Sequence, residues 1–374
     1  MTDTQTPLSA PLAELTTLRL GGPAREIVRC PDTRSIVETI QELDEQSEPV
    51  LVIGGGSNLV IGDAGFDGTA VVLASGRIEF GSGRESGRPH VVADAGVGWD
   101  DLVAATVEAG FGGLECLSGI PGAAGATPVQ NVGAYGVEVA DILRSVQVLD
   151  RRSGNLRWVS PTELGLGYRT SNLKHRDDFV VVAVSFWLNE DRASQPIRYR
   201  ELATTVGVAP GDRVDAATAR EAVLGLRRGK GMVLDADDFD TWSAGSFFTN
   251  PIVDGPDAPA VLERIAVRVG EDVAIPSYPA GPQPGTPVDP SNAGTPTAIK
   301  LSAGWLIERA GFGRGYPSAD APVRLSTKHT LALTNRGSAT TEQLLTLARE
   351  VRDGVLDSFG VTLRPEPVFV NCVL

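Results

Sequence analysis

The chain reads as alternating α and β material spread over two or three domains, on three observations. Its 374 residues exceed what one hydrophobic core ordinarily serves. Helical and β-type apolar patterns succeed one another along it. Its 43 glycines are above average usage, which calls for many tight turns or for places where backbone must approach something closely.

Residues 1–16 form a loose lead-in. PDTRSIVETIQELDEQ follows, with Asp32 placed as a helix cap and Ile36, Val37, Ile40 and Leu43 as an apolar stripe. PVLVIGGGSNLVIG is a β-rich run broken by three glycines, TAVVLA a strand, and GSGRESGRP a polar hairpin tip. In VGWDDLVAATVEAG, Asp100 and Asp101 fall where a first helical turn favours acids, and Gly110 where the helix stops. After an irregular stretch at 112–136 come strands at SVQVLD and FVVVAVSFWL, then the helix DAATAREAVLGLRRGK, which ends in cations as its dipole prefers. From 254 to 299 prolines accumulate. The run IPSYPAGPQPGTPVDP is too proline-rich for regular structure, so the segment at 276–296 reads as a surface excursion. KLSAGWLIERAGF and the helix starting TTEQLLTLAREV complete the chain, with Thr340 and Gln343 as a capping box.

Apolar residues at 42% and charged residues at 21% are ordinary for a globular protein. A net charge of −14 argues against nucleic acid or an anionic membrane as the main partner. Small anions stay possible, because Arg227, Arg228 and Lys230 make a local cationic cluster. Cys30, Cys116 and Cys372 are odd in number and far apart, which suggests neither a disulfide framework nor a zinc site and fits a reducing cytosol. The first twenty residues lack the pattern of a signal peptide, and FVVVAVSFWL has about half the length a bilayer requires, so the expectation is a cytoplasmic chain with no membrane insertion.

Several familiar signatures fail. GGGSN has Leu59 where a dinucleotide fingerprint needs its third glycine, and GLRRGKG is one residue short of a P-loop. Three scattered histidines make no metal site, so no metal is expected. Two glycine-rich stretches remain. In VIGGGSNLVI, consecutive glycines between β-rich runs let several backbone N–H groups point into one concavity that binds phosphate oxygens, although alone the stretch reads more simply as a glycine turn. GIPGAAGATPVQNVGAYG, with five glycines, two prolines and four alanines, has no period that lets it pack as helix or strand. A loop of that length in a compact domain is functional or disordered, and small residues favour close backbone contact with a flat or extended ligand. SAGSFFTNP raises a separate question, because Ser246 does not fit the nucleophile pattern G-x-S-x-G and few histidines exist to act as its base.

GGGSN, GIPGAAGATPVQNVGAYG, GYRTSNLK, AGSFFTNP, KLSAGWLIE and LRPEPVFV occur in the order, and at roughly the spacing, of the UDP-N-acetylenolpyruvoylglucosamine reductases, and the chain resembles that family from LTTLRLGGPA to its end. The resemblance implies an α+β protein with a two-lobed FAD-binding fold of the vanillyl-alcohol-oxidase type and a third α+β substrate domain. The lobes would be residues 1–75 and 76–232 and the substrate domain 233–362, with 363–374 a C-terminal strand returning to the flavin site. It further implies reduction of the enolpyruvyl ether of UDP-N-acetylglucosamine to UDP-N-acetylmuramate by NADPH through bound FAD, in peptidoglycan precursor synthesis, by a monomer.

By the same resemblance Gly54, Gly55, Gly56, Ser57 and Asn58 cradle the FAD diphosphate. From the long loop, Ile120, Pro121, Gly122, Ala123 and Gly125, then Gln130, Asn131, Ala134, Tyr135 and Gly136, line the ring and ribityl chain, and Arg227 is a flavin-side contact. Catalysis falls to Arg169 in GYRTS, Ser246 in GSFFTN and Glu366 in LRPEPVF. Reduction leaves a carbanion beside the substrate carboxylate. Ser246 would protonate it, since acid strength need only match the acceptor, and no histidine is then required. Arg169 would hold that carboxylate bidentately. Glu366, if it acts electrostatically, would have to be protonated. Tyr168, Tyr199, Lys230, Asn250 and Lys300 fall at substrate-binding positions; Tyr199 equally suits a packing role. The competing readings are an oxidase of the same FAD fold and a non-catalytic sugar-nucleotide or flavin-binding protein.

Overall fold

In the structure, a computed structural model, residues 5–6, 11–82, 87–280 and 298–374 are described. The chain divides into two compact units. One comprises Gly22–Ser57 and Ala64–Leu234 with the N-terminal segment up to Thr17; the other comprises Leu18–Gly21, Asn58–Asp63 and Asp235–Leu374.

Among the described residues the first unit contains two sheets of four and five strands, besides the two-stranded ribbon of Gly133–Ala134 with Val137–Glu138. In the smaller one, Ala24–Cys30 and Val50–Ile53 both run parallel to Phe66–Leu73, which lies between them, and Gln5–Thr6 pairs antiparallel on the outer side of Ala24–Cys30. Helix Thr33–Glu45 makes the crossover that parallel strands require. Its start follows from Asp32, whose carboxylate accepts from the Ser35 N–H at 2.7 Å, and Ile36 and Ile40 of its stripe are fully buried. In the larger sheet five antiparallel strands lie in the order Asn155–Val159, Leu143–Asp150, Phe179–Trp187, Pro89–Asp94, Ile78–Ser82. Phe179–Trp187 is central and covered on both faces, which explains a nearly unbroken apolar run. Helix Trp99–Glu108 buries Trp99 edge-on to Phe186 at 5.4 Å, and the indole N–H donates to the Leu117 carbonyl at 2.9 Å. Helix Ala216–Gly229 is capped by Asp215 and ends in Arg227 and Arg228.

The second unit is built around helix Thr341–Phe359, which buries Leu344, Leu345, Ala348, Val351, Val355 and Phe359. Thr340 and Gln343 form the expected capping box. Two short strands fix the ends that matter for function. Leu59–Ile61 runs parallel to Val368–Val370, so chain near the beginning and chain near the end lie side by side. Asp63, just beyond the first of them, accepts from the Thr341 and Glu342 N–H groups at 2.7 and 3.0 Å and so adds a second cap to the helix.

Two expectations need correction. Helix Ala258–Val269 opens the proline-bearing segment, with Pro259 at a first-turn position where its missing N–H costs nothing. Within the run read as irregular, Ser277–Pro279 forms a strand antiparallel to Ile299–Leu301. It is an edge strand, where a ring nitrogen is tolerated. The rest of the excursion, 281–297, and 83–86 of the hairpin tip lie outside the described residues. Among the described residues no helix is long and apolar enough to cross a membrane, and no cluster of His, Cys, Asp or Glu suits a metal.

Because Asp63 satisfies two first-turn donors from outside the helix, Asp63→Ala is expected to lower unfolding free energy in urea by about 1–2 kcal/mol, and Asp63→Asn to restore most of it. Unchanged stability in Asp63→Ala would show the capping box suffices alone.

Candidate active site

Strand Val50–Ile53 delivers the chain into Gly54–Ser57, and the spacing there admits no side chains. A Cβ on Gly55 would lie 2.5 Å from the Gly122 Cα and 2.8 Å from the Ala123 nitrogen. One on Gly56, whose φ is +60°, would sit 1.7 Å from the Leu15 carbonyl oxygen. Gly122, at φ +123°, faces the Ser57 hydroxyl, 2.6 Å from where its own Cβ would be. Two loops are thus pressed backbone against backbone. Among the described residues, the N–H groups of Gly55, Gly56, Ser57, Ile120, Gly122 and Ala123 have no protein acceptor. Six open donors on two loops in backbone contact are what a phosphate-binding nest requires, and their chemistry fits the diphosphate and carbonyl oxygens of FAD. Ala124 and Gly125 are instead tied to Val97 and Ala95 by 2.8 and 3.0 Å backbone hydrogen bonds, and these fix the loop's position. Pro121, Gln130 and Ala134 line the loop half-buried, and Gly136 turns it at φ +81°.

Asp100 anchors the loop's start. Its carboxylate accepts from the Gly119 N–H at 2.6 Å and from both ends of the Arg220 guanidinium at 2.6 and 2.9 Å. From sequence Asp100 was only a helix-dipole acid; its first-turn position was the available signal. Arg227 lies two helical turns beyond Arg220. One guanidinium nitrogen donates to the Met232 carbonyl at 2.9 Å, while its Nε is buried with no partner. Burial pushes this guanidinium down to about 10, opposed by Tyr135 and Asp100, so it is cationic at neutral pH. A buried cation with an unfilled donor is a receptor for an anionic or carbonyl oxygen.

Arg169, Asn131 and Tyr135 hold left-handed backbone, with φ of 54°, 46° and 51°. Each such residue costs of order 1 kcal/mol and persists because its surroundings dictate it. The Arg169 guanidinium donates to the Gly133 carbonyl at 2.8 Å and lies 5.6 Å over the Tyr168 ring, while the Lys174 ammonium donates to the Arg169 carbonyl at 2.9 Å. Asn131 is fully buried. Its amide donates to Glu138 and to the Gly167 carbonyl at 2.8 and 2.9 Å, and its oxygen accepts from the Ala140 N–H at 2.9 Å. Its side chain therefore ties the glycine-rich loop at 119–136 to the turn carrying Arg169. Burial pushes the Tyr135 phenol up to about 12, so it stays protonated. Tyr199 meets that ring edge-on at 5.5 Å, and the Lys230 ammonium lies 5.9 Å over it. Tyr199 is 46% exposed and stands at the N-cap of helix Arg200–Val206.

In the second unit Gly245, at φ +72°, turns the chain into Ser246, and Phe247 and Phe248 behind it are 0% and 1% exposed. Their rings meet each other at 5.2 Å, and Phe247 meets Phe369 at 6.3 Å. The Phe247 N–H donates to the Leu331 carbonyl at 2.8 Å. Its carbonyl accepts from the Glu366 N–H at 2.9 Å, and Thr249 donates to the Arg364 carbonyl at 3.0 Å. Ser246 and Glu366 are therefore held on two irregular segments joined by these hydrogen bonds and by an isolated bridge between Phe248 and Pro365. Ser246 is half-buried, and among the described residues its hydroxyl has no protein partner, histidine included. The Asn58 main-chain carbonyl accepts from the Val368 N–H at 2.9 Å and its side-chain amide donates to the Glu366 carbonyl at 3.4 Å, so this residue steadies the Glu366 segment. Asn250 accepts from the Ala303 N–H at 2.9 Å, and Lys300 lies half-buried on strand Ile299–Leu301. The pairing of Phe247 with Glu366 was invisible in the sequence, because nothing local joins two segments so far apart.

Two family models match the chain: an FAD binding domain over residues 24–160, and the C-terminal domain of UDP-N-acetylenolpyruvoylglucosamine reductase over residues 237–370. The UDP-N-acetylenolpyruvoylglucosamine reductase of Saccharopolyspora erythraea is 58% identical over 97% of this chain and 95% of its own, and that of Nocardia farcinica is 58% identical over 96% and 88%. That of Mycolicibacterium smegmatis is 52% identical over 98% and 96%. Among solved structures, UDP-N-acetylenolpyruvylglucosamine reductase from Thermus caldophilus superposes with a TM-score of 0.62 at 23% identity, covering 98% of this chain and all of that one, a likeness of fold. The α+β class and FAD-binding fold expected from the sequence are borne out. Since a methyl group at Gly55 must push Gly122 away, Gly55→Ala is expected to purify with most of its flavin absorbance lost. Gly76→Ala, with nothing within 4 Å of the added carbon, is expected to keep it. Full flavin content in Gly55→Ala would remove the cradle from the cofactor site. With an FAD binding domain at one end, the reductase C-terminal domain at the other and relatives matching nearly end to end, the chain belongs to the UDP-N-acetylenolpyruvoylglucosamine reductase family.

Proposed function

We propose that Ser246, Arg169 and Glu366 divide the chemistry of this FAD-containing, NADP-dependent oxidoreductase, which reduces the enolpyruvyl ether of UDP-N-acetylglucosamine to UDP-N-acetylmuramate in peptidoglycan precursor synthesis, acting in the cytoplasm as a monomer. The division into lobes 1–75 and 76–232 and a substrate domain 233–362 with its returning strand belongs to the same reading. FAD, when bound, supplies the two-electron chemistry that links NADPH to the substrate double bond. The open donors of the two glycine loops and the unfilled Arg227 Nε would hold it.

The observation that carries the reading is the setting of Ser246. Two buried phenylalanines and the bond from Glu366 fix its backbone, while its hydroxyl is not spent on the protein. A nucleophilic serine needs a base hydrogen-bonded to it, and among the described residues none is bonded to this hydroxyl; a serine that donates a proton to a carbanion needs only placement. Arg169, braced by Gly133, holds the substrate carboxylate in the geometry where charge builds, which a lysine would not copy. Glu366 is kept beside Ser246 by the Phe247 carbonyl, where it helps only in its neutral form, since an ionised carboxylate would oppose the charge forming on substrate. Lys230, Tyr199, Asn250, Lys300 and Tyr168 orient the UDP-sugar.

Ser246→Ala is expected to retain NADPH-dependent bleaching of the flavin in anaerobic stopped flow. Return of colour on adding the enolpyruvyl ether should slow by roughly 10²–10⁴-fold, the range of a general acid. Loss of the bleaching step as well would remove Ser246 from the role of proton donor.

A further inference from the structure

Lys230 is not free in this structure. Its Nζ lies 2.6 Å from Oε2 of Glu201, with the two side chains 36% and 42% exposed. Glu201 stands in the first turn of helix Arg200–Val206, directly after Tyr199, whose ring meets Tyr135 of the flavin loop. The Lys230 ammonium lies over that same Tyr135 ring. The pair therefore sits among the residues of the candidate site, not on a remote face. Among the described residues Glu201 is the sole carboxylate paired with Lys230. The ammonium has three donors, but Glu201 occupies one of them and neutralises the charge a phosphate would meet, so carboxylate and phosphate compete for it.

We infer that Glu201 is an internal competitor for the anion position at Lys230: its carboxylate holds the ammonium, and a ligand phosphate binds by displacing it. The inference rests on the reading of Lys230 as a contact to the substrate diphosphate. A ligand bringing two or more negative charges wins the exchange against a single carboxylate, whereas a neutral or singly charged one gains little. Glu201 thereby sets both affinity and a preference for diphosphates. The exchange is soft because the pair is half-exposed, and such pairs contribute only modestly in water. Displaced Glu201 returns to solvent on a short helix and buries no charge.

The test measures binding of UDP and of uridine to the FAD-loaded enzyme by titration calorimetry. Glu201→Gln keeps the size and removes the charge, and is expected to tighten UDP about two- to fivefold while leaving uridine unchanged, the size an exposed ion pair commands. Lys230→Met is expected to weaken UDP, and the double variant to bind as Lys230→Met does, because the competitor matters only where there is a cation to compete for. If Lys230→Met binds UDP as the parent does, the assignment of Lys230 falls and this inference with it. If Lys230→Met is impaired but Glu201→Gln binds UDP no tighter, or tightens uridine equally, the competitor role alone is overturned. In turnover, a lower KM for the UDP-sugar in Glu201→Gln supports displacement, and a higher one overturns it in favour of Glu201 positioning Lys230.

Discussion

The candidate site of the first unit depends on one contact, the approach of Gly55 to the backbone of Gly122 and Ala123 with no room for a side chain between them. Two loops brought that close cannot use their own N–H groups on each other at every point, and six donors stay open. In an ordinary core such an arrangement is a defect, because unmade backbone hydrogen bonds cost free energy. On the proposed reading it would let an acidic protein receive an anionic cofactor, since amide dipoles attract phosphate without a net charge. The rest of the unit supports this contact. The parallel strands deliver the first loop, Val97 and Ala95 pin the second, and Asp100 clamps its start while pairing with Arg220.

Much of this was legible in the sequence where the cause was local. Asp32 and the Thr340–Gln343 box announced two helices because a cap is a chemical event within four residues. The glycine runs announced backbone approach, although not its partner. What failed to show was long-range or conditional. Ser277–Pro279 is a strand because Ile299–Leu301 offers it an edge, and proline content alone does not reveal that. The bond that seats Glu366 beside Ser246 joins segments with no shared pattern. The unfilled Nε of Arg227 follows from burial, which depends on packing by the whole unit.

The second unit applies a different principle. On the proposed reading the group at work there, Ser246, is a weak acid, so it would rely on position and not on a shifted ionisation. Everything around Ser246 serves that end: the left-handed Gly245 aims the turn, buried aromatic rings resist its movement, and main-chain bonds to Leu331 and Glu366 fix it on both sides. Rigid seating of this kind is what a group needs if it contributes through placement and not through driving force.

Three cations of the first unit, Arg220, Arg227 and Lys230, are held in three different ways. Arg220 is spent on structure through Asp100. Arg227 is held by burial with one donor unfilled, so it is ready for a permanently bound group that need never leave. Lys230 is covered by a carboxylate that can be pushed aside, the arrangement suited to a ligand that must come and go. A bare cation at a turnover site would bind its product as firmly as its substrate. On the proposed reading, a cation with an attached competitor would return part of that binding free energy at release, because Glu201 would re-form its pair with Lys230 as the diphosphate departs. Where each charge is placed therefore tracks how long its ligand is meant to stay.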